Sequence, residues 1–196
     1  MIQKTVKNAM TYNAFKALVS KLIKEGKSTG ETQSEALLNY SILSERRMKR
    51  LDKTIKITDE TRNAILKNDK DLLFLVLMES WCGDGAQTLP IMNKIAELSS
   101  KTEFKIILRD ENEDLMNEHL TNGGKAIPKL LIIDKENSAV LQSWGPRPSV
   151  ATKMVNDYKE KHGALDAEFK KELQIWYNKD KGVSTQQDLV AIINSL

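Results

Sequence analysis

The chain has 196 residues, 40% of them hydrophobic, which allows one sizeable core with helical extensions or two small domains. Lys and Arg number 30 against 27 Asp and Glu, a formal charge of +3 that gives no reason to expect a nucleic-acid or membrane partner. One cysteine excludes an internal disulfide, so the fold must stand on packing alone.

The first third reads as helical. Val6, Met10, Phe15, Leu18, Val19 and Leu22 recur at helical spacing and predict one helix over 6–23. Gly26 and Gly30 mark a loop. Thr32 and Glu35 resemble a capping box for a second helix that runs to about Leu51. Its basic run, Arg46, Arg47, Lys49 and Arg50, reads as a solvated face or a partner contact. Thr58 opens a short third helix, with Asp59 and Glu60 at its positive end.

At Leu72 the pattern changes. Seven consecutive apolar residues, Leu72 to Met78, predict a buried strand. Further strands follow at 104–108, 129–133 and 139–144, the last two joined as a hairpin through 134–137. Helices fit at 85–98 and 111–120. Pro146 and Pro148 stop the fourth strand, and helices return at 150–161, 165–178 and from Ser184. The expected architecture is α/β: residues 1–70 a helical extension, 71–162 a core with a mixed sheet, and 163–196 a helical extension packed on it. These last helices also offer a surface for a homodimer.

No leading segment joins a basic start to an unbroken apolar run, and no stretch approaches the length of a membrane span; both favour the cytoplasm. His119 and His162 stand apart from each other and from the cysteine, so neither metal nor cofactor is expected. The acidic residues from Asp110 to Asp114 lack the glycine and terminal glutamate of a calcium loop.

Candidate chemistry gathers at Met78-Glu79-Ser80-Trp81-Cys82-Gly83-Asp84-Gly85. Cys82 follows a buried strand and opens a helix. A strand's C-terminal end is where open α/β sheets place ligands, and a helix start favours a thiolate. Gly83 and Gly85 leave the approach open. The plainer alternative is a small apolar residue at a strand end.

Trp81-Cys82-Gly83 resembles the opening of the thioredoxin motif Trp-Cys-Gly-Pro-Cys. Pro90 lies eight residues after Cys82, where that family has a helix-kinking proline. Ile127-Pro128 before a strand resembles its cis-proline segment, and the hairpin, Gly145 and helix follow in its order. The resemblance spans about 71–161. It implies a thioredoxin-like fold in which Trp81 and Cys82 face a cis Pro128 across a shallow groove. Ile127 would offer backbone groups there to a protein disulfide or a low-molecular-weight thiol.

The departures matter as much. Gly85 stands in place of the resolving cysteine, so one chain cannot complete the two-cysteine cycle. Asp84 replaces the usual proline, as a helix cap or a local acid or base. Val76 replaces a buried carboxylate, and no charge is expected in that part of the core. Glu79 stands where peroxiredoxins carry Thr or Ser, which argues against that activity. Cys-Gly-Asp-Gly also differs from the Cys-Gly-Phe-Ser of monothiol glutaredoxins. Arg147 could grip an acidic substrate group, Gln87 faces solvent, and Trp144 forms core or groove wall.

Two functions remain. Cys82 could exchange thiols, with Trp81, Gly83, Asp84, Gly85, Ile127, Pro128 and Arg147 around the substrate; this needs an exposed sulfur of lowered pKa and an external resolving thiol. The alternative is a redox-inactive binding or scaffold module on the same fold.

Overall fold

A computed structural model describes residues 2–196, with side chains from residue 5 onward. Four strands form one sheet in the order β2-β1-β3-β4, over β1 (Leu72–Met78), β2 (Thr102–Leu108), β3 (Lys129–Asp134) and β4 (Val140–Trp144). β1 runs parallel to β2 and antiparallel to β3, and β3 pairs antiparallel with β4, so the sheet is mixed. Every residue of β1 is buried. A strand covered on both faces needs no polar alternation, which is why its sequence is one apolar run.

The predicted helix over 6–23 is two. α1 (Ile2–Lys7) ends, and α2 (Tyr12–Lys24) restarts at an N-cap where Thr11 Oγ1 accepts from Ala14 N. Between them Met10 exchanges both backbone hydrogen bonds with Ile106, each 2.8 Å, on the open side of β2. Pairing with an edge strand's open backbone groups prevails there over one more helical turn.

α3 (Glu35–Thr54) is capped by Ser34, whose Oγ accepts from Leu37 N; the Thr32 cap read from the sequence is not the one used. α4 (Asp59–Lys67) starts at Thr58 as expected. α5 (Gly83–Ala96) leaves the end of β1 and carries Pro90 inside it. α6 (Glu113–Glu118) is shorter than the acidic stretch suggested. α7 (Ser149–His162), α8 (Ala167–Asp180) and α9 (Val183–Ile193) complete the chain.

The main core runs well beyond the sheet. Phe15 and Val19 of α2, Met48 and Leu51 of α3, and Leu189, Val190 and Ile193 of α9 belong to the cluster built on β1 and α5. α8 does not join it. Its Phe169, Leu173 and Tyr177 pack with Ala151 and Val155 of α7 as a separate small cluster. A buried side chain of this kind contributes about 1.5–3 kcal/mol, so α8 is held by far less apolar burial than the sheet.

Candidate functional site

Cys82 ends the turn after β1 and is itself the N-cap of α5: Gly85 N donates to its Sγ at 3.4 Å. Its own thiol donates to the Ile127 carbonyl oxygen at 3.2 Å. The Ile127–Pro128 peptide is cis, as is Gly145–Pro146. Gly145 lies directly over Pro128, at φ 119°, where a Cβ would collide with the Pro128 carbonyl. Only a glycine lets the two loops meet so closely. Cys82, Ile127 and Pro128 are therefore brought together.

The sulfur does not meet the expectation of an exposed thiolate. Cys82 is 6% exposed, and burial, helped by the Asp84 carboxylate beside it, pushes its pKa up to about 12. Backbone N–H groups of Gly85 and Asp84 and the more distant Arg147 pull the other way and lose. Desolvation of a charged sulfur outweighs the dipole of one helix start.

Asp84 is neither cap nor free acid. It accepts from Arg147 Nη2 at 2.7 Å and from the Tyr177 hydroxyl at 3.0 Å. Burial pushes this carboxyl up against the pull of Arg147, Tyr177 and Arg47. Arg147 is thus an internal partner rather than an open anion hook, and its Nε is buried without a hydrogen-bond partner among the described residues. Tyr177 belongs to α8, so the last third of the chain reaches the cysteine loop.

Further contacts cover the loop. A Cβ on Gly83 would lie 3.2 Å from Arg47 Nη1 and 3.9 Å from Gln174 Nε2. Gln87, expected to face solvent, is buried and donates to Gln174 Oε1 at 3.0 Å. Ser44 Oγ of α3 lies 3.5 Å from the Cys82 carbonyl oxygen. α3 and α8 thus flank the cysteine loop at Gly83, Gln87 and the Cys82 carbonyl.

The loop is also tied from below. Ser80 N donates to Thr29 Oγ1 at 2.8 Å, Thr29 N donates back to Ser80 Oγ at 3.0 Å, and Ser41 Oγ stands 2.7 Å from Ser80 Oγ. This reciprocal link fastens the loop before α3 to the residue two before the cysteine.

Trp81 stays partly exposed, with the Arg109 guanidinium 5.1 Å from its ring centre. Arg109 also pairs with Asp110 at 2.7 Å and reaches the Lys125 carbonyl at 3.4 Å. Behind it lies a charge the sequence reading missed. Glu79 is fully buried, its Oε1 accepting from Asp110 N at 3.0 Å and its Oε2 without a partner among the described residues. Burial pushes its pKa up. Arg47 was read only as part of a basic run and Glu79 only against a peroxiredoxin position, while Arg109, Gln174 and Tyr177, far apart in the chain, were not read as site residues. The basic run at 46–50 was the one local signal, and part of it turns inward.

A mixed sheet whose central strand delivers a cysteine to the start of a proline-containing helix, opposite a cis-proline loop, defines a thioredoxin-like protein. The family model described as Thioredoxin matches residues 30–159, and the chain belongs to that family. Among solved structures it is similar to a protein of unknown function from Pseudomonas aeruginosa, with 18% identity, 95% of this chain and 98% of that chain covered, and a TM-score of 0.58. An HIV epitope-scaffold is similar at 19% identity over 95% of this chain and 99% of that chain, with a TM-score of 0.57. At these identities the likeness is one of fold. No curated protein matches the sequence. No helix of the described residues is long and apolar enough to cross a membrane.

Proposed function

We propose that this protein is a redox-inactive binding module on the thioredoxin fold, with Cys82 a structural thiol that closes the site from within. The observation that carries this reading is the Sγ–H bond to the Ile127 carbonyl. It commits the thiol proton to the backbone group that the family resemblance reserves for a substrate. The absence of a second cysteine and the raised pKa point the same way. The part of the groove left open is the rim at Trp81, Arg109 and Lys125, where a partner protein would be bound without turnover. A reducing compartment such as the cytoplasm suits a lone protonated thiol.

Thiol exchange is the second reading, favoured by the weak anchoring of α8 on its own small cluster. If α8 swung away, the Cys82 thiolate could attack a disulfide, form a mixed disulfide and expel one thiolate. An external thiol would then release Cys82. The two readings separate on native Cys82 alkylation by iodoacetamide between pH 6 and 10, with the denatured chain as control, and on intact mass after incubation with glutathione disulfide. The binding module predicts slow native alkylation with no inflection below the denatured thiol and no glutathione adduct. A thiolate titrating below about 8.5, or a stoichiometric adduct at neutral pH, overturns it.

A further inference from the structure

On the far side of Tyr177 from the cysteine loop, the ends of α3 and α8 and the starts of α4 and α9 enclose a cavity of about 520 Å³. That volume lies within the usual range for a small-molecule site, about 300–1,000 Å³. Leu51 and Ile55, both buried, supply apolar floor, and Tyr177 supplies one wall. The charged lining is of one sign. Arg50, Lys56 and Lys181 contribute to it, and no lining residue is acidic. None of the three takes part in an ion pair among the described residues within 4 Å. Arg50 Nη2 donates to Asn178 Oδ1, a fellow lining residue, at 2.7 Å.

Thr58 caps α4 and Val183 opens α9 at the cavity, and both starts are already served: Asp59 and Glu60 stand in the first turn of α4, and the Asp180 carboxylate accepts from Ser184 N at 3.2 Å. The ends of α3 and α8 and the starts of α4 and α9 carry opposite partial charges, so the side chains set the sign of the field. Three lysine or arginine side chains could each be explained singly as solvated surface. Their convergence on an apolar floor, with no acidic residue in the lining, is what a neutral or cationic guest would not need. We propose that this cavity binds a small amphipathic anion: one carboxylate, sulfonate or phosphate group at the Arg50, Lys56 and Lys181 mouth, on an apolar body lying over Leu51 and Ile55. The site does not use the Cys82 thiol, but it needs α8 in place, as the binding-module reading has it, because Tyr177 and Asn178 line it.

The test uses the full chain and 8-anilinonaphthalene-1-sulfonate, read by fluorescence, with octanoate and inorganic phosphate as competitors. The dye should saturate at one per chain and be displaced by octanoate, but not by phosphate at the same concentration. R50A/K181A removes two exposed charges and should weaken binding by about tenfold or more. V183W places an indole in the cavity from an exposed position and should abolish binding without changing charge. Circular dichroism melts of both variants should match the parent. Binding unchanged in both variants, failure of octanoate to displace the dye, or equal displacement by phosphate would overturn the proposal.

Discussion

The Met78 thioether occupies the space that a side chain on Gly85 would need: a Cβ built there would run into Met78 Sδ and Cε, and would lie 3.5 Å from Cys82 Sγ. The missing second cysteine is therefore compensated in packing. Met78, the last residue of β1 and fully buried, fills the vacancy. Restoring the dithiol pattern by G85C alone should overpack this point and cost about 1–3 kcal/mol in urea denaturation. Shortening the neighbour as well, in G85C/M78V, should regain part of that stability. The double variant should also form a disulfide between Cys82 and the introduced thiol under oxidising conditions, seen as a loss of two thiols in intact mass. Full stability in G85C alone would show that Met78 moves aside freely.

The buried thiol has a consequence at high pH. The unfolded chain loses the Cys82 proton above the ordinary thiol pKa of about 8.5, while the folded chain keeps it up to about 12. Between those values the unfolded state binds fewer protons, so stability falls as pH rises, by up to about 1.4 kcal/mol per pH unit from this group. Below about 8.5 both states hold the proton and the contribution is constant. C82S lacks a titrating group here. Its stability, measured by denaturant titration from pH 7 to 10.5, should fall less steeply above pH 8.5 than that of the parent. Parallel curves would mean that Cys82 titrates normally in the folded chain.

Asp84 and Arg147 act on the same thiol with opposite sign. The carboxylate raises the Cys82 pKa and the guanidinium lowers it. D84N should therefore speed native Cys82 alkylation at pH 8–9, and R147M should slow it. Each variant also strands a largely buried charge, at a cost of about 3 kcal/mol. The kinetic contrast between them is the readout that lost stability alone would not produce. Alkylation rates changing in the same direction would refute this electrostatic assignment.

Glu79 is a carboxyl group fully buried in the core. Its burial raises the pKa, so the unfolded chain ionises first as pH rises from the ordinary carboxyl value near 4.3. Stability contributed by the neutral form is complete below that value and is lost as pH climbs through the folded pKa. E79Q keeps an acceptor for Asp110 N and presents N–H groups toward the unpartnered side. It should raise stability at pH 7 by about 1–2 kcal/mol, with the advantage shrinking toward pH 4 in paired thermal melts. A destabilised E79Q would mean that Arg109 or Thr29 depends on the Glu79 charge.

The elements most legible in the sequence were those whose environment is uniform along their length. Leu72 to Met78 lies between covered faces over its whole run, so its pattern and bounds were readable. The helix start at Thr58 was readable because a cap is a contact within four residues. The break at Met10 was not, since helical spacing continued through it and the competing partner, Ile106, is distant in the chain. The same holds for Gln87, polar in composition yet buried against Gln174.

By itself the sequence determined that this is an α/β chain of thioredoxin pattern with a single thiol after its central strand and no resolving partner beside it. Those are matters of residue type, apolar run and short spacing. Whether that thiol is exposed, and whether it ionises, was decided only by tertiary structure. A pKa depends on how much water is excluded and which charges stand near; here burial and the neighbouring Asp84 raise it, and Arg147 pulls the other way. Asp84 is local, but Arg147 and the residues beside the loop, Arg47, Gln174 and Tyr177, come from helices and loops distant in the chain, through contacts that local pattern does not encode.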